Sequence, residues 1–355
     1  MVSRIIKYVE ASLYKTNINP LFGAVLRVLS FFYGLGVRLR LFLYSSGILK
    51  STRVPVPVIS IGNLTVGGSG KTPLTVYIAS LLNGRGKKTA ILTRGYKRKS
   101  GDICVINNAD LKNHLKEPEL YGDEPLTLAL RLKDTPVIIS PDRIASAKLA
   151  VKKYSPDVLL LDDGFQHLRL ARNINFALFD SARGTGSGAL LPRGPLREPM
   201  SSLQRADAII LKGSSDVPGI GFAGKPVFRF SLNPTALKTI DGKTTALDYA
   251  NGKRAFVFSA ISNPASFRKT VESLGATIVT SLSYTDHHWF NAEDLADIKR
   301  NASEADLTLT TEKDLVRLGA YDISALNIFA VSVDAVPENK TAFDDFIFAR
   351  IWPGK

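Results

Sequence analysis

The chain has 355 residues, 45% hydrophobic and 22% charged, with 46 Lys and Arg against 32 Asp and Glu for a net charge of +14. That composition excludes wholesale disorder and fibrous repeats, and the length suits two domains with a sizeable core. The single cysteine, Cys104, excludes an internal disulfide or thiolate zinc cage and points to a reducing compartment, while four histidines do not suit a histidine-rich metal site.

Half of the net charge lies in residues 1–53, where Arg4, Lys7, Lys15, Arg27, Arg38, Arg40, Lys50 and Arg53 face Glu10 alone, eight against one, or +7. The same segment is strongly apolar at 21–26, 28–33 and 41–44. A spanning helix needs about 20 predominantly apolar residues, and Arg27, Arg38 and Arg40 leave no charge-free stretch of even twelve. Scattered charges at the start, with no small-residue cleavage site after them, do not make a signal-peptide layout. Basic residues interleaved with Phe, Leu and Tyr predict a helix lying at an anionic membrane surface. A helix packed on the domain with its basic face in water is the competing reading.

After this arm, Val58-Ile59-Ser60-Ile61 predicts a strand, followed by a glycine-rich turn and a helix from about Pro73 to Leu82. Short β-branched runs then alternate with helix-length polar segments: Ala90–Leu92, Val137–Ile139, Val158–Leu161, Phe176–Phe179 and Ala208–Leu211. Continuous apolar strands alternating with helices predict an α/β fold with a mostly parallel sheet covered on both faces. The Gly-rich stretch 181–188 and the Pro-rich stretch 191–199 predict a long functional or disordered loop. A second, smaller α/β lobe is expected over 225–355, with strands at 256–258, 277–279, 307–309 and 328–331 and a helix near 264–274. The expected division is thus an N-terminal arm (1–53), a nucleotide-binding domain (54–224) and this C-terminal lobe.

The strongest motif is Gly67-Gly68-Ser69-Gly70-Lys71-Thr72-Pro73, set between a strand and a helix. Glycines let backbone N–H groups curl around phosphate oxygens, and the helix N-terminus adds a favourable dipole. The Lys71 ammonium suits β and γ phosphates, the Thr72 hydroxyl suits Mg²⁺, and Pro73 fits a first helical turn. Thr65 departs from the strict G-x-x-x-x-G-K-[ST] pattern. A turn that merely caps a helix does not need Lys-Thr after a glycine pair, so a P-loop is the reading. Val158–Leu161 ending in Asp162-Asp163 has the form of a Walker B strand, whose carboxylate supports Mg²⁺. Asn/Thr-Lys-x-Asp is missing, since Thr311-Glu312-Lys313-Asp314 has the wrong spacing, so ATP is the expected nucleotide.

The run Ile61–Pro73, then Thr93-Arg94-Gly95-Tyr96, Gly122-Asp123-Glu124-Pro125 and Asp162-Asp163-Gly164-Phe165-Gln166-His167, resembles the tetraacyldisaccharide 4′-kinases of lipid A biosynthesis. Leu191-Pro192, Gly194–Glu198 and Asp286-His287 continue the resemblance, which runs from the arm to about residue 320 and tolerates Thr65. Leu168 and Asn173 depart from residues common in the family. The resemblance implies transfer of the ATP γ-phosphate to the 4′-hydroxyl of an acylated glucosamine disaccharide 1-phosphate. It also implies a peripheral protein at the cytoplasmic face of the inner membrane, expected to be a monomer.

On that resemblance Asp123 helps deprotonate the acceptor hydroxyl; on sequence alone, Gly-Asp-Glu-Pro reads as a turn with a helix-capping aspartate. His287 is its partner, with His288 one residue away as the alternative. Arg143 and Arg197 are candidates to hold phosphate, since guanidinium forks match its oxygens; surface ion pairs are the alternative for each. Asp162, Asp163, Gln166 and Glu198 are unranked candidates, with Thr72, for the Mg²⁺ surroundings. Arg94 and Tyr96 follow a strand end, where sites in parallel sheets gather, and His167 suits either the site or the core. The rival function is a P-loop ATPase coupled to a partner protein; a membrane-binding module with a vestigial P-loop conflicts with an intact Lys71-Thr72. The basic charge sits largely in an apolar arm rather than on an aromatic-studded sheet, so no nucleic acid is expected.

Overall fold

The computed structural model describes residues 13–14, 19–217, 222 and 224–354. Arg4, Lys7, Glu10 and Lys15 of the basic arm lie outside the described residues. The chain runs α1 (Pro20–Ser45), β1 (Val58–Asn63), α2 (Lys71–Gly84), β2 (Thr89–Thr93), β3 (Cys104–Ile106), α3 (Leu111–His114), α4 (Pro118–Tyr121) and α5 (Asp123–Arg131). It continues through β4 (Val137–Ile139), α6 (Arg143–Tyr154), β5 (Val158–Asp162), β6 (Ile174–Asp180), β7 (Ala208–Lys212), β8 (Val227–Lys238) and β9 (Thr244–Thr245). It ends in β10 (Arg254–Ser259), α7 (Pro264–Ser273), β11 (Thr277–Ser283), α8 (Ala292–Ala302), β12 (Leu307–Thr311), α9 (Glu312–Arg317), β13 (Ile328–Pro337) and α10 (Lys340–Ile351).

These elements gather into two compact units, each drawn from separate stretches of chain. The first takes residues up to Lys71, Val158–Ser231 and Val336–Lys355; the second takes Thr72–Asp157 and Leu232–Ala335. The linear division at 224/225 therefore differs from the packing. Residues 72–157 cluster with 232–335, and the C-terminal segment from Val336 clusters with the first unit, where Phe343 packs on Phe176 and Phe228.

In the first unit the sheet order is β5-β1-β6-β7, with the start of β8 beside β7, and every pairing is parallel. All residues of β1, β5 and β6 are buried, as a sheet covered on both faces requires. The registers Ile61↔Asp162, Asn63↔Leu178 and Asp180↔Lys212 bring the carboxyl ends of four strands to one edge. Asn63, Asp162, Asp180 and Lys212 stand there, where open parallel sheets bind ligands. Beneath them Leu64, Phe165, Phe179, Leu196, Ile209 and Leu211 share one apolar cluster. From α10, Phe343 packs its ring 5.5 Å from Phe176 and 5.1 Å from Phe228.

The helix α1 belongs to this unit. Asn19 caps it by accepting from Leu21 N and Phe22 N, and Pro20 begins it. One face touches the 181–199 loop: Ser30 Oγ donates to Leu190 O at 2.9 Å and Tyr33 Oη to Arg197 O at 2.8 Å. Only Gly23, Leu26 and Gly34 are buried, while Leu21, Val25, Leu29, Phe31, Phe32, Leu35 and Phe42 are exposed. By length and composition alone, α1 is long and apolar enough to cross a membrane. Arg27, Arg38 and Arg40 break its charge-free length, but a window holding one or two arginines still averages strongly apolar.

In the second unit β2 and β4 pair in parallel and β3 joins β4 antiparallel. The strands β11-β10-β12-β13 form a parallel set, and β9 pairs antiparallel with the end of β8. Along β10 the side chains alternate: Ala255 and Val257 join Phe267 and Val271 of α7, while Phe256 and Phe258 join Leu295 and Ile298 of α8 and Leu315 of α9. Period-two alternation thus puts helices on both faces of this sheet. Every strand expected from an apolar run is present. The sequence reading lacked β3, β8 and β9; in β8, exposed polar positions alternate with half-buried ones, so no continuous apolar run marks it.

Candidate active site

The phosphate-loop residues grow out of β1. Asn63, at its buried end, donates from Nδ2 to Ser69 Oγ at 3.0 Å and accepts from Lys71 Nζ at 3.5 Å. The loop therefore closes on its own strand before α2 begins. Gly70 has φ of 84°, and a Cβ there would stand 3.0 Å from the Phe230 ring, so only glycine fits without strain. Beside Asn63 at the same end of β1, a Cβ on Gly62 would lie 2.5 Å from Phe165 N, which explains a glycine where the strand meets the Asp-Asp-Gly-Phe turn. Lys212, from the end of β7, pairs with Asp180 at 2.5 Å and reaches Gly68 O at 3.4 Å, adding a second ammonium beside the loop.

Asp162 ends β5, 1% exposed. Asp163 follows in a left-handed conformation, φ 50°, which turns its carboxylate to two cations. Lys71 Nζ lies 3.6 Å away, and Arg197 Nη1 contacts both carboxylate oxygens at 3.0 Å. Gln166 braces the arrangement, donating from Nε2 to Asn63 O at 2.9 Å and accepting from Arg197 at 3.4 Å. The long loop that carries Arg197 is ordered by Val66 N donating to Pro195 O and Arg197 N to Leu64 O. Glu198 is buried; Oε2 accepts from Arg205 at 2.5 Å, and Oε1 has no hydrogen-bond partner among the described residues.

The second unit carries a different cluster. Asp123 opens α5 and is 2% exposed. Its Oδ1 accepts from Glu124 N at 2.8 Å, while Oδ2 meets His287 Nδ1 at 3.0 Å and Arg317 Nε at 3.0 Å, with Arg317 Nη2 closer still. His288 Nε2 instead meets Asp294 Oδ2 at 2.7 Å, which settles which histidine pairs with Asp123. His287 holds φ of 59° and packs its ring edge-on to Tyr96, 5.4 Å between centroids. Burial opposes ionisation of Asp123, but the hydrogen bond from His287 and the charges of Arg317 and Lys313 outweigh it and hold the carboxyl well below the usual carboxylate range. Lys313 is itself raised despite burial because Glu124, 2.6 Å away, and Asp123 favour its charged form.

Of the residues expected from sequence, Gly67 to Lys71, Asp162, Asp163, Gln166, Arg197 and Glu198 fall in the first unit, and Thr72, Asp123, Arg143 and His287 in the second. Arg143 is buried and donates to Ser140 O at 2.8 Å, beside Asp142, which caps α6. His167 O accepts from Arg172 Nη2 at 2.8 Å, and Arg172 also donates to the Gly164 and Phe165 carbonyls, so this arginine braces the whole turn. Sequence reasoning missed Asn63, Lys212, Arg172, Arg317 and Asp314. For the last pair a signal existed: Thr311-x-x-Asp314 is a helix-capping pattern, and Thr311 Oγ1 accepts from Asp314 N.

Among the described residues no group of three His, Cys, Asp or Glu could hold a metal. Mg²⁺ does not require such a cage, because it binds through one or two carboxylates together with substrate phosphates. The hard oxygen of a strand-end carboxylate and of Thr72 suits that ion.

A profile described as tetraacyldisaccharide-1-P 4′-kinase matches residues 22–351. The tetraacyldisaccharide 4′-kinase of Syntrophus aciditrophicus is 39% identical over 353 residues, 94% of each chain. That of Aquifex aeolicus is 37% identical over 320 residues, covering 90% of this chain and 96% of its own. A crystal structure of the "apo" form of LpxK from Aquifex aeolicus in complex with ATP gives a TM-score of 0.77 at 34% identity, covering 93% of this chain and 100% of that one. With the P-loop, the Asp-Asp-Gly-Phe-Gln-His turn and the Asp123–His287 pair in place, the chain belongs to the tetraacyldisaccharide 4′-kinase family.

Proposed function

We propose a division of labour for the reaction this chain carries out, the ATP-dependent 4′-kinase step of lipid A biosynthesis. Backbone N–H groups of the Gly67–Lys71 turn receive the nucleotide's phosphates, and Lys71 exchanges part of its contact with Asp163 for the β and γ oxygens. Arg197, aligned by the same carboxylate, serves the transferring phosphoryl group. The strand-end carboxylate of Asp162 would hold Mg²⁺, which would supply charge neutralisation to the phosphates.

His287 and Asp123 handle the proton of the acceptor 4′-hydroxyl. With Nδ1–H donated to Asp123 Oδ2, the neutral imidazole leaves Nε2 as its basic nitrogen. Asp123 is poorly disposed to take a proton, since its carboxyl is held below the usual carboxylate range and its oxygens already accept from Glu124 N, His287 and Arg317. His287 Nε2 takes the hydroxyl proton, and Asp123 fixes the ring and stabilises the imidazolium. The acceptor is an acylated glucosamine disaccharide 1-phosphate, met by a monomer at the cytoplasmic face of the inner membrane, with the exposed face of α1 against the lipid surface.

The observation that carries this reading is the 3.0 Å contact between His287 Nδ1 and Asp123 Oδ2, 164 residues apart in sequence. The test is transfer from γ-labelled ATP with Mg²⁺ to a tetraacylated disaccharide 1-phosphate in detergent micelles. Loss of transfer in Lys71→Ala and a severe loss in Asp123→Ala and His287→Ala are expected. Lipid-independent hydrolysis that survives Asp123→Ala, with no labelled lipid, would instead support a partner-coupled ATPase.

A further inference from the structure

Arg317 is among the largest fully buried side chains of the protein. A guanidinium at such a site has to donate nearly all of its hydrogens and be neutralised, or it would not be buried. Its fork is held from two sides. Nη1 donates to Asp314 Oδ1 at 2.6 Å and to Ala260 O at 2.9 Å. Asp314 is fixed in turn: it accepts from Ala260 N at 3.1 and 3.2 Å and from Thr311 Oγ1 at 2.6 Å. Ala260 follows β10 and Thr311 ends β12, so the guanidinium is anchored to two adjacent strands. From that anchor Nε and Nη2 both address Asp123 Oδ2.

We propose that Arg317 is a positioning residue of the kinase reaction: anchored through Asp314 and Ala260, it fixes the Asp123 carboxylate so that His287 is held with Nε2 toward the acceptor hydroxyl. This rests on the proton-handling role given above to Asp123 and His287. The guanidinium touches neither substrate nor the reacting atoms on this reading; it acts through the carboxylate. A single buried Asp123–His287 hydrogen bond would leave the carboxylate free to rotate, whereas a planar fork on Oδ2 with Glu124 N on Oδ1 leaves it one orientation.

The charges facing this pair come from several elements. Lys313 and Arg317 lie on α9 with Asp314, Glu124 on α5 pairs with Lys313, Asp286 lies beside His287, and Tyr96 meets the imidazole from the segment after β2. Replacing Arg317 with a neutral side chain removes one cation from that set. The protonated form of the Asp123–His287 pair is then favoured, so the acid limb of activity moves to higher pH.

The experiment measures kcat and KM against pH for the full chain, comparing wild type with Arg317→Gln, Arg317→Lys and Asp123→Ala, with thermal unfolding of each. For Arg317→Gln, kcat is expected to fall by on the order of 100-fold with ATP KM near wild type, and the acid limb to shift upward. Arg317→Lys keeps the cation without the fork, so kcat falls while the limb stays near its wild-type position. If Arg317→Gln does not fold, Arg317→Lys carries the test: wild-type kcat in it would overturn the proposal, and a folded variant with reduced kcat and an unmoved limb would support it. Activity lost only in proportion to folded protein, with an unmoved limb in Arg317→Gln, would reduce Arg317 to a packing role. Wild-type transfer by Asp123→Ala would bring down the proton-handling reading itself, a result distinct from failure at Arg317 alone.

Discussion

Lys71 Nζ stands 3.6 Å from Asp163 Oδ1, and Asp163 reaches it from a left-handed backbone, φ 50°. The phosphate-loop lysine is therefore already oriented by a carboxylate on the turn after β5. Arg197 shares that carboxylate at 3.0 Å, so one anion aligns two cations that come from different loops.

Asp163→Asn keeps the side-chain size and a residue type that tolerates a left-handed backbone, but withdraws the charge from both cations. The expected outcome is a fall in kcat of about 100-fold with ATP KM within about threefold, because orientation matters more to transfer than to binding. Steady-state kinetics at saturating lipid checks it; wild-type kcat would show that neither cation needs the carboxylate.

Gly70→Ala addresses the turn itself. The added Cβ meets the Phe230 ring at 3.0 Å, and φ of 84° costs an L-residue roughly 1–2 kcal/mol. If the loop relaxes away from the phosphate-binding shape to relieve that strain, ATP affinity falls about tenfold, since 1.4 kcal/mol is a factor of ten. Nucleotide titration monitored by calorimetry reads this directly, and unchanged affinity would mean that Phe230 gives way instead.

The two clusters differ in how much the sequence discloses. The turn from Gly67 to Thr72 is legible because its chemistry is contiguous: the residues that cradle a phosphate must follow one another. Asp162 and Asp163 are legible because a buried apolar strand runs straight into them. Arg317 is not, because its meaning depends on Asp123, 194 positions away. Read alone, Thr311-Glu312-Lys313-Asp314 fails as a guanine-recognition motif; folded, it is the first turn of α9 and anchors a buried guanidinium. Strand order is hidden likewise, since in a parallel sheet it is set by crossovers rather than by adjacency in the chain.

Asp123 also links stability to pH. Its pKa in the folded protein lies below the ordinary carboxylate value, so its stabilising contribution is complete above that value and is lost as the pH falls through the carboxylate range. Asp123→Asn leaves Arg317 buried with Asp314 as the carboxylate it still pairs with, at a cost of about 3 kcal/mol near neutral pH. The gap between wild type and variant should shrink below about pH 4, because the unfolded wild-type chain takes up a proton at Asp123 that the folded carboxyl resists. Urea denaturation at several pH values measures it; a gap constant down to acid pH would contradict an ionised Asp123.

The exposed face of α1 gives a separate prediction. Phe31 and Phe32 are 65% and 63% exposed, with rings edge-to-face at 5.6 Å, and neither contributes to the buried stripe of Gly23, Leu26 and Gly34. Burying an apolar side chain of this size is worth roughly 1.5–3 kcal/mol, and each basic residue near an anionic surface adds about 1 kcal/mol. Phe31→Asp combined with Phe32→Asp should then weaken binding to anionic vesicles by on the order of 100-fold, with thermal unfolding unchanged because both rings leave the interior untouched. Sedimentation with vesicles of defined anionic content, repeated at high salt, separates the apolar from the electrostatic part. Vesicle binding that survives the double substitution would mean that the apolar face of α1 does not meet lipid, and that its role ends at the contacts of Ser30 and Tyr33 with the loop carrying Arg197.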